Sequence, residues 1–110
     1  TLLREIAPCV RYHHEWYDGS SRGYPEQLAG SAIPLPARII AVADTVEAMT
    51  SDRPYRKGLP LEMVLTEIHK YRETQFDPMA ADAFFRLIER EGENFLRKDR
   101  KFDLYAFLEA

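Results

Sequence analysis

Two adjacent histidines followed by a carboxylate are the residues of this chain best suited to chemistry. His13, His14 and Glu15 begin the run HHEWYDGSSRGYP, in which a Gly- and Ser-containing turn leads to Gly23-Tyr24-Pro25. Imidazole nitrogens and carboxylate oxygens are borderline ligands that iron, manganese and zinc accept. The turn brings backbone close to whatever such a metal would hold. The run therefore predicts a metal site beside a substrate-facing loop.

The spacing of the two histidines limits how they can share a metal. On a helix, adjacent side chains point about 100° apart, so both cannot fill one ligand position. Either they hold two different metals, or one binds metal while the other orients phosphate. His69 stands alone, off the apolar side of its segment, and a surface position is expected for it.

The net charge and a local basic cluster limit the class of ligand that the chain would bind. The net charge of −3 gives no general attraction to nucleic acid, so no DNA or RNA polymer is expected as a partner. Arg53, Arg56 and Lys57 form a local basic cluster that could draw an anionic substrate. The alternative is a solvated helix end, where cations interact favourably with the helix dipole.

Composition predicts a small domain, or part of one, in a reducing compartment. The 110 residues contain one cysteine, Cys9, which excludes an internal disulfide, is expected to be buried and fits the cytoplasm. No apolar run approaches the ~20 residues that span a bilayer, and residues 1–10 lack the features of a signal peptide. The start at Thr1 suggests that the chain begins inside a larger gene product.

Apolar spacing predicts an all-α helical bundle with one long Gly/Pro-containing loop. A first helix over residues 2–17, interrupted at Pro8, would carry both histidines and end at Asp18-Gly19. Residues 18–34 are expected to be irregular. Further helices are predicted at 35–51, 60–71 and 78–90, with Asp77 as an N-cap and Gly92 at the end of the last, followed by a short amphipathic piece over 104–108.

The helix over 35–51 contains one central acid that is hard to explain structurally. Its apolar stripe consists of Leu35, Ile39, Val42, Val46 and Met49, and Asp44 lies on the opposite side among alanines. An acid opposite an apolar stripe usually faces solvent. The small neighbours, however, predict a helix that is buried nearly all round, which makes Asp44 a candidate for function.

Taken in order and spacing, these motifs resemble the HD-GYP family, a branch of the HD-type metal-dependent phosphohydrolases. The similarity covers about residues 10–78 and extends beyond the loop to three downstream motifs. They are the helix sequence ARIIAVAD at 37–44, Arg-Pro-Tyr-Arg at 53–56 and Gln-Phe-Asp-Pro at 75–78. The resemblance implies that residues 1–110 are the C-terminal part of one HD-GYP domain, with 79–110 as its C-terminal helices.

The resemblance also implies the roles of individual residues. His13, His14 and Asp44 would be catalytic and would bind metal, with two or three iron or manganese ions in the full domain. The substrate, cyclic di-GMP, would be hydrolysed to pGpG or GMP in bacterial signalling. Gly23, Tyr24 and Pro25 would line the substrate site, and Arg53 and Arg56 would reach phosphate and guanine.

Several features depart from the family pattern. The turn Asp18 to Gly23 is two residues longer than the usual Asp-Gly-x-Gly and adds Arg22. Glu47 replaces a more usual Asp, and Glu73 stands where Gly is common. The eponymous His-Asp pair, a further histidine and a lysine belong upstream of Thr1. The chain alone is therefore expected to be inactive, to hold metal weakly or not at all, and to form a homodimer.

Three functions remain open at this point. The first is a cyclic di-GMP phosphodiesterase. The second is a catalytically degenerate module that senses nucleotide or docks a signalling protein through the Gly-Tyr-Pro loop, which the longer loop favours slightly. The third is a phosphohydrolase with another phosphorylated substrate, which Arg53 and Arg56 argue against only weakly.

Overall fold

Four helices and their connections make up the described part of the molecule. The computed structural model describes residues 2–92, and the segment 104–108 lies outside them. The α-helices are α1 (Leu2–Tyr12), α2 (Leu35–Thr50), α3 (Leu61–Lys70) and α4 (Pro78–Glu91), with a short 3-10 helix at Gly30–Ala32. Residues 2–92 contain isolated β-bridges but no strand, so the all-α prediction is confirmed. None of these helices has the length and apolar character needed to cross a membrane.

The core lies between α2, α3 and α4, as the apolar stripes predicted. Burial of these side chains is the main contribution to stability, because each removes apolar surface from water. Leu35 is an exception to its predicted stripe, since 46% of it is exposed at the start of α2. The buried cluster consists of Val42, Val46, Val64, Ile68, Phe76, Ala80, Ala81, Phe84, Leu87 and Ile88.

The predicted signals at the ends of α4 are confirmed. The Asp77 carboxylate accepts a hydrogen bond from the Met79 amide at 2.8 Å and so satisfies a donor at the helix N-terminus. Pro78 occupies the first turn, where its missing N–H costs nothing. Gly92 ends the helix with a φ of 73°, a conformation that favours glycine.

The prediction for the first helix is wrong at its C-terminal end. α1 continues through Pro8 but stops at Tyr12, so His13 and His14 lie in a turn and not on the helix. Its apolar residues Leu2, Ile6 and Val10 are 69%, 42% and 59% exposed, while Cys9 is buried as expected. α1 packs against α2, and its apolar stripe lies outside the core of the three later helices.

The irregular segment after the histidines is attached to the turn that precedes α4. The Tyr17 amide donates to the Gln75 carbonyl at 3.1 Å, and the Asp18 amide donates to the Thr74 carbonyl at 2.9 Å. Within that turn Glu73 has a φ of 76°, in the left-handed region where a side chain is unfavourable. This explains physically why glycine suits the position better than glutamate.

A buried ion pair joins α2 to the same turn. The Arg38 Nη1 donates to Asp77 Oδ2 at 2.7 Å, and its Nε donates to the Ile33 carbonyl at 2.9 Å. The two side chains are only 14% and 3% exposed. Arg38 therefore fixes the end of the long loop, at Ile33, relative to the start of α4.

Removing one partner of this pair should be costly. We expect Arg38→Met to lower the free energy of unfolding by about 3 kcal/mol, because the Asp77 carboxylate would stay buried without its countercharge. Lys57→Ala is the control, since the Lys57–Asp52 pair is 4.0 Å apart and largely exposed, and we expect a change within about 0.5 kcal/mol. Urea unfolding followed by circular dichroism measures both; equal effects would contradict this role for Arg38.

Candidate metal and substrate site

The two histidines stand together on the turn that follows α1. Their ring centroids are 3.9 Å apart. His13 Nδ1 lies 2.6 Å from the Val10 carbonyl oxygen. A carbonyl can only accept, so Nδ1 carries the proton and the lone pair of His13 Nε2 is left available to a ligand. Among residues 2–92, the ring nitrogens of His14 have no hydrogen-bond partner. The turn thus offers two nitrogen donors side by side.

Glu15 is not a third ligand, contrary to its first interpretation as an acid beside the metal. It is 3% exposed, and both carboxylate oxygens accept backbone hydrogen bonds. Oε1 accepts from the Glu26 and Gln27 amides at 2.6 and 3.1 Å, and Oε2 accepts from the Leu28 amide at 2.6 Å. Three successive N–H groups make a concave anion site in the backbone. Glu15 therefore holds the loop to the histidine turn.

The Gly-Tyr-Pro loop folds back onto the histidine turn. A Cβ on Gly23 would overlap the Trp16 backbone nitrogen, so only glycine permits this close approach. The Tyr24 amide donates to the His14 carbonyl at 3.3 Å. The Tyr24 ring stacks on the His14 imidazole, with centroids 4.9 Å apart and planes 17° apart. Despite its two extra residues, the loop brings Tyr24 directly over a candidate metal ligand.

An apolar groove opens beside this stack. It has a volume of about 660 Å³ and lies between α1 and the loop, where Tyr24 is 57% exposed. Apolar walls of this kind suit the flat face of a base more than a phosphate. The lining residues are Ile6, Ala7, Val10, Arg11, Tyr24 and Pro25.

Asp44 belongs to a different element from the histidine pair. It is exposed on α2, the helix against which α1 packs. In the described part of the chain, no three His, Cys, Asp or Glu side chains come close enough to hold one metal ion. The donor types of His13, His14 and Asp44 fit iron, manganese or zinc. The structure brings the two histidines together but does not add Asp44 to them as a third ligand of one ion.

Arg53 and Arg56 differ in how far their side-chain donors are already used in hydrogen bonds within the chain. Arg53 and Arg56 flank a tight turn in which each amide donates to the carbonyl of the other, at 2.7 and 3.2 Å. The Arg56 guanidinium donates to the Ala48 carbonyl at 3.2 Å and so caps the end of α2. The Arg53 side chain is exposed and makes no ion pair within residues 2–92. Arg53 is therefore the better placed of the two for an anionic ligand.

Sequence reasoning did not single out Trp16, the neighbour of the histidine turn. The Arg22 guanidinium lies 5.2 Å from the centroid of the Trp16 ring, which in turn meets the Tyr71 ring edge-on at 5.8 Å. Nearby, Arg72 donates to both carboxylate oxygens of Asp82, at 2.9 and 2.8 Å. These hydrogen bonds lower the pKa of Asp82 and raise the pKa of Arg72. The sequence showed the extra cation, Arg22, but gave no signal that Trp16 would be its aromatic partner.

Loss of the Glu15 carboxylate should release the loop. In Glu15→Ala three amides lose their acceptor, and we expect the free energy of unfolding to fall by about 3 kcal/mol. Hydrogen exchange should speed up at Glu26, Gln27 and Leu28 but not at the core amides of α4. Glu15→Gln keeps one oxygen acceptor and is expected to be intermediate. Unchanged protection at the three amides in Glu15→Ala would contradict this role.

Comparison with known proteins places the chain in a family. The model of an HD domain family matches residues 1–80, which include the histidine turn, the loop and the Arg-Pro-Tyr-Arg segment. Members of this family are metal-dependent phosphohydrolases. The match covers most of the 110 residues and includes all of the candidate site residues.

Named relatives agree with the family model. The chain is 49% identical over 74 residues to the cyclic di-GMP phosphodiesterase response regulator RpfG of Xanthomonas campestris, covering 67% of this chain and 19% of that protein. It is 40% identical over 102 residues to a cyclic di-GMP phosphodiesterase of Thermotoga maritima, covering 93% and 27%. It is 44% identical over 75 residues to the 3'3'-cGAMP-specific phosphodiesterase 1 of Vibrio cholerae, covering 67% and 17%.

These matches cover only a part of each relative. The chain spans less than a third of the length of each of these three relatives. Within that span the motifs that suggested the resemblance agree with the family found by comparison. The chain belongs to the HD domain family, in its HD-GYP branch.

Proposed function

We propose that the protein carrying this chain is a metal-dependent phosphodiesterase that hydrolyses cyclic di-GMP to pGpG or GMP. The observation that carries the proposal is the stack of Tyr24 on His14, because it sets an aromatic face beside a pair of nitrogen donors. A cyclic dinucleotide offers complementary groups, a flat base and a phosphodiester. Two of the relatives described above are named as cyclic di-GMP phosphodiesterases, which supports this choice of substrate.

His13, His14 and Asp44 are the residues that we propose to hold metal, with iron or manganese as the ions that suit these donors. When bound, such ions would polarise the phosphodiester and lower the pKa of a coordinated water. Other groups of the chain orient the proposed ligand His13 and the loop. The hydrogen bond from His13 Nδ1 to Val10 fixes the imidazole ring, and Glu15 fixes the loop that carries Tyr24.

Substrate contacts are proposed for the loop and the Arg-Pro-Tyr-Arg turn. Tyr24 offers its exposed ring to a base, and Pro25 lines the groove beside it. Gly23 would act by allowing the close approach that holds Tyr24 in this position. Arg53 has an exposed guanidinium whose planar fork suits a phosphate. Arg56 would contribute less, because part of its guanidinium already donates to carbonyls of the chain.

A nucleotide-sensing or partner-docking module is the second candidate. It is favoured by the turn Asp18 to Gly23, which is two residues longer than the family pattern and adds Arg22. A module of this kind would use the Tyr24 stack and the groove beside it without turnover. We also propose a cytoplasmic location, supported by the single free Cys9. Association of two copies is supported by the exposed apolar residues of α1.

Substitution of the proposed ligands tests the enzyme against the sensor. With added Mn²⁺ or Fe²⁺, we expect release of pGpG or GMP from cyclic di-GMP, measured by chromatography. His14→Ala and Asp44→Ala should each lower kcat by about a hundredfold or more and reduce the metal content measured by elemental analysis. His69→Ala is the matched control, since His69 stacks on Phe85 at 4.0 Å on another surface.

Two results would separate the alternatives. Binding of cyclic di-GMP without turnover, with either metal, would favour the sensing module. Turnover that survives both ligand substitutions would contradict the assignment of the ligands. The 110-residue chain by itself is expected to hydrolyse cyclic di-GMP negligibly, because fewer than half of the expected family ligands occur in its motifs.

Arg53 should affect substrate more than metal. We expect Arg53→Ala to raise KM for cyclic di-GMP by about tenfold, the loss of one charge-assisted hydrogen bond, while the metal content stays the same. Steady-state kinetics and elemental analysis on one preparation measure both quantities. A fall in metal content with an unchanged KM would show that Arg53 acts on the metal site.

A further inference from the structure

Two short segments of the loop run side by side and pair their side chains. Residues 14–16 lie against residues 22–24, with the Tyr24 amide bonded to the His14 carbonyl and Gly23 packed on the backbone of Glu15 and Trp16. Tyr24 then stacks on His14, and the Arg22 guanidinium lies over the Trp16 ring. Glu15, between His14 and Trp16, is buried on the inner side. The two pairs are therefore carried by the same two adjacent segments, one residue apart along each.

The Trp16 ring orients the Arg22 guanidinium and leaves its N–H groups available as hydrogen-bond donors. Arg22 is exposed, and its cation lies 5.2 Å from the centroid of the Trp16 ring. Trp16 is held in turn by the edge-on contact with Tyr71 at 5.8 Å. No carboxylate within residues 2–92 forms an ion pair with Arg22. An aromatic face restrains a guanidinium while its N–H edges stay available to donate.

We propose that Arg22 is a specificity-determining residue that recognises a guanine base of the cyclic dinucleotide at its O6 and N7 atoms. The inference rests on the proposed function, because it takes Tyr24 as the face on which that base lies. Cα atoms two residues apart are at most about 7 Å apart, so the edge of a base on Tyr24 is within reach of Arg22. The group that recognises the base is therefore next to the group that stacks it.

The chemistry favours guanine over adenine at this position. Guanine presents two acceptors, O6 and N7, that match the paired donors of one guanidinium. Adenine presents an amino donor in place of O6, so one N–H of Arg22 would face another donor. A lysine carries the same charge but lacks the planar pair of donors. Charge attraction to phosphate and recognition of guanine are thus separable by substitution.

The test compares three ligands that differ only in their number of guanines. Binding of cyclic di-GMP, 3'3'-cGAMP and cyclic di-AMP is measured by calorimetry on the protein that carries this chain, in its metal-free and its metal-loaded form, with chromatography confirming that each ligand is intact at the end of the titration. We expect Arg22→Ala and Arg22→Lys each to weaken binding of cyclic di-GMP by about tenfold or more. Binding of cyclic di-AMP should change by less than about twofold, since it lacks the O6 acceptor. Arg90→Ala, an exposed arginine of α4 beside Glu91, is the control and should leave all three unchanged.

Other patterns of binding would overturn the inference. An equal loss for all three ligands in Arg22→Ala, restored by Arg22→Lys, would assign Arg22 to phosphate. No loss in either variant, or no binding of any ligand by the unsubstituted protein, would remove Arg22 from the substrate site. Hydrolysis of cyclic di-GMP by the metal-loaded protein is measured separately. Guanine-dependent binding through Arg22 without hydrolysis would overturn only the proposed activity.

Discussion

The buried carboxylate of Glu15 is the constraint on which the arrangement of the candidate site depends. A buried charge is tolerated only when it is paired or fully hydrogen-bonded. Glu15 meets this condition through the amides of residues 26–28. Those amides can reach it only if the loop folds back across the histidine turn. The fold-back forces the contact at Gly23, and that contact places Tyr24 over His14 and Arg22 over Trp16.

The loop has a second support, which connects it to the hydrophobic core. Its Tyr17 and Asp18 amides are bonded to carbonyls of the turn before α4. That turn is held by the Arg72–Asp82 pair, and Asp77 at its end is held by Arg38 of α2. The core of α2, α3 and α4 thus positions the turn, and the turn positions the loop. The histidines are far from the core in sequence but are joined to it through these polar contacts.

Features that repeat at helical spacing predicted the helices and their core. Contacts that follow no such repeat could not be predicted from the sequence. The stripes of α2, α3 and α4 follow from burial on one face, which repeats at helical spacing. The predicted first helix ran past its end at Tyr12, since the hydrogen bonds that Glu15 makes beyond that point have partners 11–13 residues further on and leave no local signal. The resemblance supplied His14 and Tyr24 as site residues. The resemblance could not predict that the rings of His14 and Tyr24 stack, because ring contacts depend on the path of the loop.

Asp44 and the histidines come from different elements, α2 and the turn after α1, and this suggests how the site divides its tasks. The surface that would face a base is built within residues 13–30 and depends on backbone bonds to Glu15, so its shape is fixed by the chain alone. The proposed metal donors come from two separate elements, the histidine turn and α2, and within residues 2–92 no three His, Cys, Asp or Glu side chains form a site for one ion. A substitution at Arg22, which contacts Trp16 and none of the proposed metal donors, can therefore alter base recognition while the donors stay in place. A longer turn with a new cation, such as the one that carries Arg22, is the kind of change that this division permits.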